Sequence, residues 1–134
     1  MSGKPYDALK YDMKNNAAIV AKVSKRIYHA LKPQSAQLPN ITFFESGLLR
    51  FKGIENQSYT VNCRARTPAE AMDLARLVWN LFGGADGGGT TGTVNGFDMG
   101  RVSVETGSGV IPEGNSVYNA PLIIPMVYAS STVS

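Results

Sequence analysis

Apolar residues recur at Tyr6, Leu9, Met13, Ala17 and Val20, spaced by threes and fours. That spacing lines one face of a helix, so a helix is predicted from Pro5 to about Val23, with Lys10, Asp12, Lys14 and Lys22 off the apolar stripe. The period is then lost. "SKRIYHALKPQSAQLPN" carries Pro33 and Pro39 and reads as an irregular connector that tucks Ile27, Tyr28 and Leu31 onto the core. "NITFFES" reads as a short strand ended by Gly47. In "SYTVNCRAR", Tyr59, Val61, Cys63 and Ala65 alternate with Thr60, Asn62, Arg64 and Arg66. Strict alternation predicts a strand with one buried and one wet face, as antiparallel sheets allow.

A second helix is predicted at once. Thr67 stands where an N-cap belongs, Pro68 suits the first helical position, and Glu70 completes a T-x-x-E capping box. The helix is expected to stop at Gly83-Gly84, where glycine accepts the left-handed conformation. On a helical wheel, Leu77, Leu81, Leu74, Val78, Ala71, Phe82, Ala75, Trp79 and Met72 fill an arc of roughly 220°, about twice the stripe of an ordinary surface helix. One sheet face does not cover so wide an arc. This helix must therefore meet the sheet and something more, either the first helix or another subunit. Met72 and Trp79, one face apart by seven residues, are the candidate intersubunit contacts, with Leu77 and Leu81 beside them. The other reading packs Met72 and Trp79 on the first helix.

Beyond the glycines, "GRVSVET" alternates Val102 and Val104 inward with Arg101, Ser103 and Glu105 outward. "GSGVIPEGNSVYN" reads as a connection. In "APLIIPMVYA", Leu122, Ile124, Met126 and Tyr128 share a face. Pro121 and Pro125 each lack a ladder donor, which predicts an edge or bulged strand. The order is α-β-β-α-β-β. It predicts one α+β domain over residues 1–134, an antiparallel or mixed sheet of about four strands flanked by two helices.

Composition narrows the function classes. The 134 residues carry a net charge of +3, too little to argue by itself for nucleic acid. A single cysteine, Cys63, excludes a disulfide framework and a multi-cysteine metal site. Its place in an alternating strand predicts a buried structural thiol. "MSGKPYDALKYDMKNN" has no apolar signal core, and "PLIIPMVYA" is too short to span a bilayer. The expectation is a protein made in a reducing compartment, with no membrane role.

Seven of the 14 glycines lie between Gly83 and Gly96. A phosphate cradle needs its glycines ahead of a helix, where N–H groups and the positive dipole end face the anion. These glycines follow a helix, and no lysine occurs after Lys52 to complete a P-loop. Residues 83–96 are thus expected to be a flexible loop, on the surface or ordering on a partner, with Gly84, Asp86, Gly88, Thr90 and Thr91 as its contact positions. Lone His29 has no spaced histidine or carboxylate cluster to make a metal site, and no G-x-S-x-G is present. No catalytic residue, cofactor or metal site is predicted. Arg64 and Arg66 on one strand, with Arg101 joining them across the sheet, form a candidate nucleic-acid surface. Arg50, Phe51 and Lys52 add a single ring between cations, where single-strand binding calls for several.

"RIY" at 26–28, "LPNITFFESG" at 38–47 and "YTVNCRARTPAEAMDLARLVWNLF" at 59–82 resemble the tail-terminator or tail-completion proteins of long-tailed bacteriophages. The resemblance follows the order of elements over roughly residues 6 to 130. It implies a small, non-enzymatic α+β subunit that closes into a ring, usually six-fold. The ring sits on the last layer of tail-tube protein at the head-proximal end of the virion tail. There it halts tube growth and offers a surface to the head–tail connector, while DNA passes through the lumen without being read. Assembly is implied in the host cytoplasm. A neck adaptor bound directly to the connector is the alternative within the same class, and a small nucleic-acid-binding module on Arg64, Arg66 and Arg101 the alternative outside it. The glycine-rich stretch is longer than the resemblance leads one to expect.

Overall fold

The computed structural model describes residues 5–30, 37–51, 54–82, 92–94, 97–99, 101–102, 106–107 and 109–129. Helices α1 (Pro5–Lys14) and α2 (Ala17–Val23) lead into strands β1 (Ile27–His29), β2 (Asn40–Phe51) and β3 (Ile54–Ala65). Helix α3 (Pro68–Phe82) follows. Then come short strands β4 (Gly92–Val94), β5 (Phe97–Met99), β6 (Arg101–Val102), β7 (Thr106–Gly107) and β8 (Ile111–Gly114), and long β9 (Val117–Ala129).

The sheet runs β1-β2-β3-β9, and β6, β7 and β8 share the far edge of β9. β1 lies parallel to β2 and the other pairings are antiparallel. The α+β class with a mixed sheet is thus as the sequence predicts. The helices differ from expectation. Three of them, rather than two flanking ones, share a core with a single sheet face. Ile41, Phe43, Tyr59, Val61, Cys63, Ala65, Ala120, Leu122, Ile124 and Met126 meet Leu9, Met13, Ile19, Val23, Ala71, Leu74, Val78 and Phe82 there.

The predicted first helix is two. Asn16 adopts an extended conformation (φ −91°, ψ 113°), and its side chain accepts a hydrogen bond from the Ile19 N–H at 3.0 Å. Its polar side chain competes for the backbone and starts a new helix. One non-helical residue also resets the phase. Ile19 and Val23 are consequently buried while Ala17 and Val20, the expected core positions, are exposed. The connector likewise contains order. Ile27–His29 pairs with Ile41–Phe43, so "RIY" contributes a strand rather than an irregular tuck.

β2 does not end at Gly47. A bulge between Glu45 and Gly47 absorbs an extra residue, and the strand continues to Phe51. The Gln57 side chain donates to the Gly47 carbonyl at 2.7 Å, satisfying a group that the bulge takes out of the ladder. β3 obeys its alternation: Tyr59, Val61, Cys63 and Ala65 are buried against the helices.

β9 is neither an edge strand nor disrupted by its prolines. On one side it pairs with β3 from end to end. On the other, β8 meets residues 117–119, β7 meets 122–123 and β6 meets 126–127. Pro121 and Pro125 fall in the two gaps. A residue with no N–H cannot donate to a ladder, so the far edge is covered in pieces that skip the prolines. "VIPEGNSVYN" is correspondingly a hairpin, with Asn115 and Ser116 at φ 52° and 59° in its turn. Within the predicted glycine loop, Gly92–Val94 pairs with Phe97–Met99.

Candidate subunit-contact groove

α3 begins as its sequence requires. The Thr67 hydroxyl accepts from the Glu70 N–H at 3.1 Å, and its carbonyl accepts from Ala71 at 3.1 Å. Lying over β3 and β9, the helix buries Ala71, Leu74, Ala75, Val78 and Phe82, the middle of its wide apolar arc. The two shoulders of the arc fare differently. Leu77 and Leu81 are partly buried and pack against the core. Met72 and Trp79 remain 39% and 41% exposed. They do not pack on the first helical segment. They stand on the opposite side, facing β9.

Between that shoulder and the sheet lies a groove of about 560 Å³, walled by Met72, Ala75, Arg76, Trp79 and Asn80 of α3 and by Ala120, Pro121 and Leu122 of β9, with Gly109 at its edge. Ala120 and Leu122 point to the helix side, so the walls are apolar. Arg76 is the one charged wall residue. Gly109 has φ +81°, a left-handed conformation that glycine takes without strain. The β9 wall was not legible from the sequence, because it depends on which strand α3 crosses. Two further exposed apolar residues, Leu48 and Leu49, did leave a signal. Consecutive leucines on a strand point to opposite faces, so a sheet covered on one side must expose at least one of them.

The candidate basic surface does not assemble as predicted. Arg64 is opposite Asn119 on β9, whereas Arg101 is opposite Val127. Eight residues at ~3.3 Å each separate the two levels by about 26 Å along the strand. Arg64 is moreover engaged. Its Nε donates to Glu113 Oε1 at 2.8 Å and its Nη1 to the Thr42 hydroxyl. Glu113 Oε2 accepts from Asn119 Nδ2 at 3.2 Å, and the same amide donates to Asn62 Oδ1 at 2.9 Å. This cross-strand network ties the β8 hairpin to the sheet face opposite the helices. Arg66 lies past the end of β3, exposed.

Cys63 is fully buried, and desolvation raises its thiol pKa to about 12 against a smaller lowering by Arg64. It is a neutral packing group. His29 Nε2 lies 2.8 Å from Glu45 Oε1, and its ring sits 5.1 Å from that of Phe43, a partly exposed structural histidine. The positions Gly84, Asp86, Gly88, Thr90 and Thr91 lie outside the described residues, as does Lys52. Among the described residues, no helix is long and apolar enough to cross a membrane.

An α+β subunit with a mixed sheet, helices on one face and an open apolar groove beside α3 is the class that fold and site define. The same architecture occurs in a chain of the virion of a native gene transfer agent particle. The two match with a TM-score of 0.66 over 94% of this chain and 95% of that one, at 15% sequence identity. That likeness is one of fold. No family profile matches the chain, and no curated protein matches its sequence.

Proposed function

We propose that this chain is a structural protein of a phage-type virion and, within it, a ring-forming tail terminator rather than an enzyme. The observation that carries the reading is the open Met72–Trp79 shoulder of α3. Tryptophan is enriched at the centre of protein interfaces, and this one borders an apolar groove that the chain's own elements leave unfilled. A fold shared along nearly its whole length with a gene transfer agent virion chain supports the virion setting. The resemblance of "LPNITFFESG" and the capped α3 segment to tail terminators supports the finer assignment.

On this reading copies of the chain close into a six-fold ring on the last layer of tail-tube protein. The opposite ring face meets the head–tail connector, and DNA passes through without specific contact. The weak net charge of +3 suits a conduit, since a strongly cationic bore would retain the polymer. Residues Gly84 to Thr91 supply the tube- or connector-facing contact. Assembly takes place in the host cytoplasm.

The test is negative-stain imaging of the purified protein mixed with tail-tube subunits. Capped tubes of uniform length are expected, and a Met72→Asp, Trp79→Ala double variant is expected to leave tubes uncapped. Tubes that grow past the wild-type protein unchecked overturn the assignment. Binding to the connector without any effect on tubes would make the chain a neck adaptor.

A further inference from the structure

A ring needs two different surfaces on each copy, because a head-to-tail contact is heterologous. The groove supplies one, and the sheet carries a second apolar surface at its diagonal corner. β1 covers β2 only from Ile41 to Phe43. From Phe44 onward, no described strand pairs outside β2. Leu49 is there 73% exposed, the most exposed large hydrophobic residue among those described, with Leu48 and Phe44 also exposed. Leu49 is opposite Asn56, hence on the sheet face away from the helices, together with Phe44 opposite Thr60.

The two surfaces cannot meet within one copy. Leu49 lies at the level of Val127 on β9 through Asn56, whereas the groove wall is at Ala120 to Leu122. Five to seven residues at ~3.3 Å separate them by roughly 20 Å along the sheet. They also lie on opposite sheet faces. Neither surface suffices for a self-paired dimer. A stable interface buries about 800 Å² per partner, while a whole aromatic side chain offers roughly 150–250 Å² and Trp79 is only 41% exposed. Two concave grooves set face to face would also leave a void. A convex apolar edge fills one instead. At ~150 Å³ for a benzene-sized group, the groove's 560 Å³ has room for roughly three such groups.

We propose that the β2 edge of one copy, led by Leu49, seats in the α3–β9 groove of the next copy, so that subunits join head to tail. The occupant of the groove is thus a second copy of this chain, and each copy contributes one knob and one groove. This rests on the ring reading above and names the surface that completes it.

Complementation tests it. Leu49→Asp destroys the knob and keeps the groove, and Trp79→Asp does the reverse. By mass photometry, with tube ends present, each variant alone is expected to run as a monomer, with at least about a tenfold rise in the concentration needed for assembly. An equimolar mixture retains one intact contact per pair, so it is expected to form dimers and go no further. That outcome also shows both variants to be folded. Leu49→Asp rings like those of wild type, or a mixture that stays monomeric, overturn the knob-and-groove contact while leaving the ring itself standing. Wild-type protein that never assembles, even on tube ends, overturns both.

Discussion

The two shoulders of α3 are nearly equivalent in sequence and opposite in fate. Leu77 and Leu81 bound the apolar arc on one side, Met72 and Trp79 on the other. The leucine side packs against the core, and the Met–Trp side faces a groove and solvent. Hydrophobicity alone would have ranked both as candidates for a partner. The difference comes from where α3 lies: over β3 and β9, with α2 beside it and no helix beyond it among the described residues. An apolar arc is therefore a statement about how many neighbours a helix needs, and the fold decides which of them are internal.

The strongest way to break this contrast is to compare truncations across the arc. Leu74→Ala, in its fully buried centre, is expected to cost about 2–5 kcal/mol of unfolding free energy, from lost transfer energy and the cavity left behind. Trp79→Ala, measured on dilute monomer by urea denaturation, is expected to change stability by under about 0.5 kcal/mol, as for a surface site. Comparable costs at the two positions would mean that the Met–Trp shoulder belongs to the core after all.

High pH probes the covered side further. Cys63 sits on the sheet face beneath the helices, and its folded-state pKa of about 12 exceeds the ordinary value of 9.0. Below pH 9 both states hold the proton and the thiol contributes no pH dependence. Between pH 9 and 12 the unfolded chain releases it while the folded chain does not. Stability is then lost at about 1.4 kcal/mol per pH unit. The wild-type minus Cys63→Ala difference in denaturation midpoint, followed from pH 8 to 10.5, isolates this term from other alkaline titrations. A difference flat with pH would mean that the covered side admits water.

The smallest effect sharpens the comparison by acting on both shoulders at once. Thr67→Ala removes the hydroxyl that accepts from Glu70 and is expected to cost ~1 kcal/mol. Because it loosens the start of the helix that carries knob-binding and core residues alike, assembly and monomer stability should weaken together. Separate measurements by thermal melting and mass photometry check that the two move in step.

Much of the fold was legible. The T-x-x-E cap, the alternation through Cys63 and the stop at Gly83 each rest on backbone chemistry that acts within a few residues. The misreadings share the opposite character. Helical periodicity ran unbroken across Asn16 in the sequence, yet a single capping side chain reset the phase and exchanged Ala17 and Val20 for Ile19 and Val23. Gly47 read as a terminator because its pairing partner, and the Gln57 amide that satisfies its carbonyl, lie in another strand. Pro121 and Pro125 read as marks of an edge, but they fall between three short strands that cover β9 in pieces. Arg64 and Arg101 looked like neighbours across a sheet until the register set them eight residues apart.

By itself, the sequence determined which segments are helix or strand at their clearest and how much apolar surface α3 must hide. Those properties follow from local hydrogen bonding and side-chain period, which short stretches of chain contain in full. Only tertiary structure decided that the surplus is left at Met72 and Trp79, that β9 supplies the facing wall, and that Leu49 stands exposed at the diagonal corner. Crossing position and strand register bring together residues far apart in the chain, and no local pattern records where they meet.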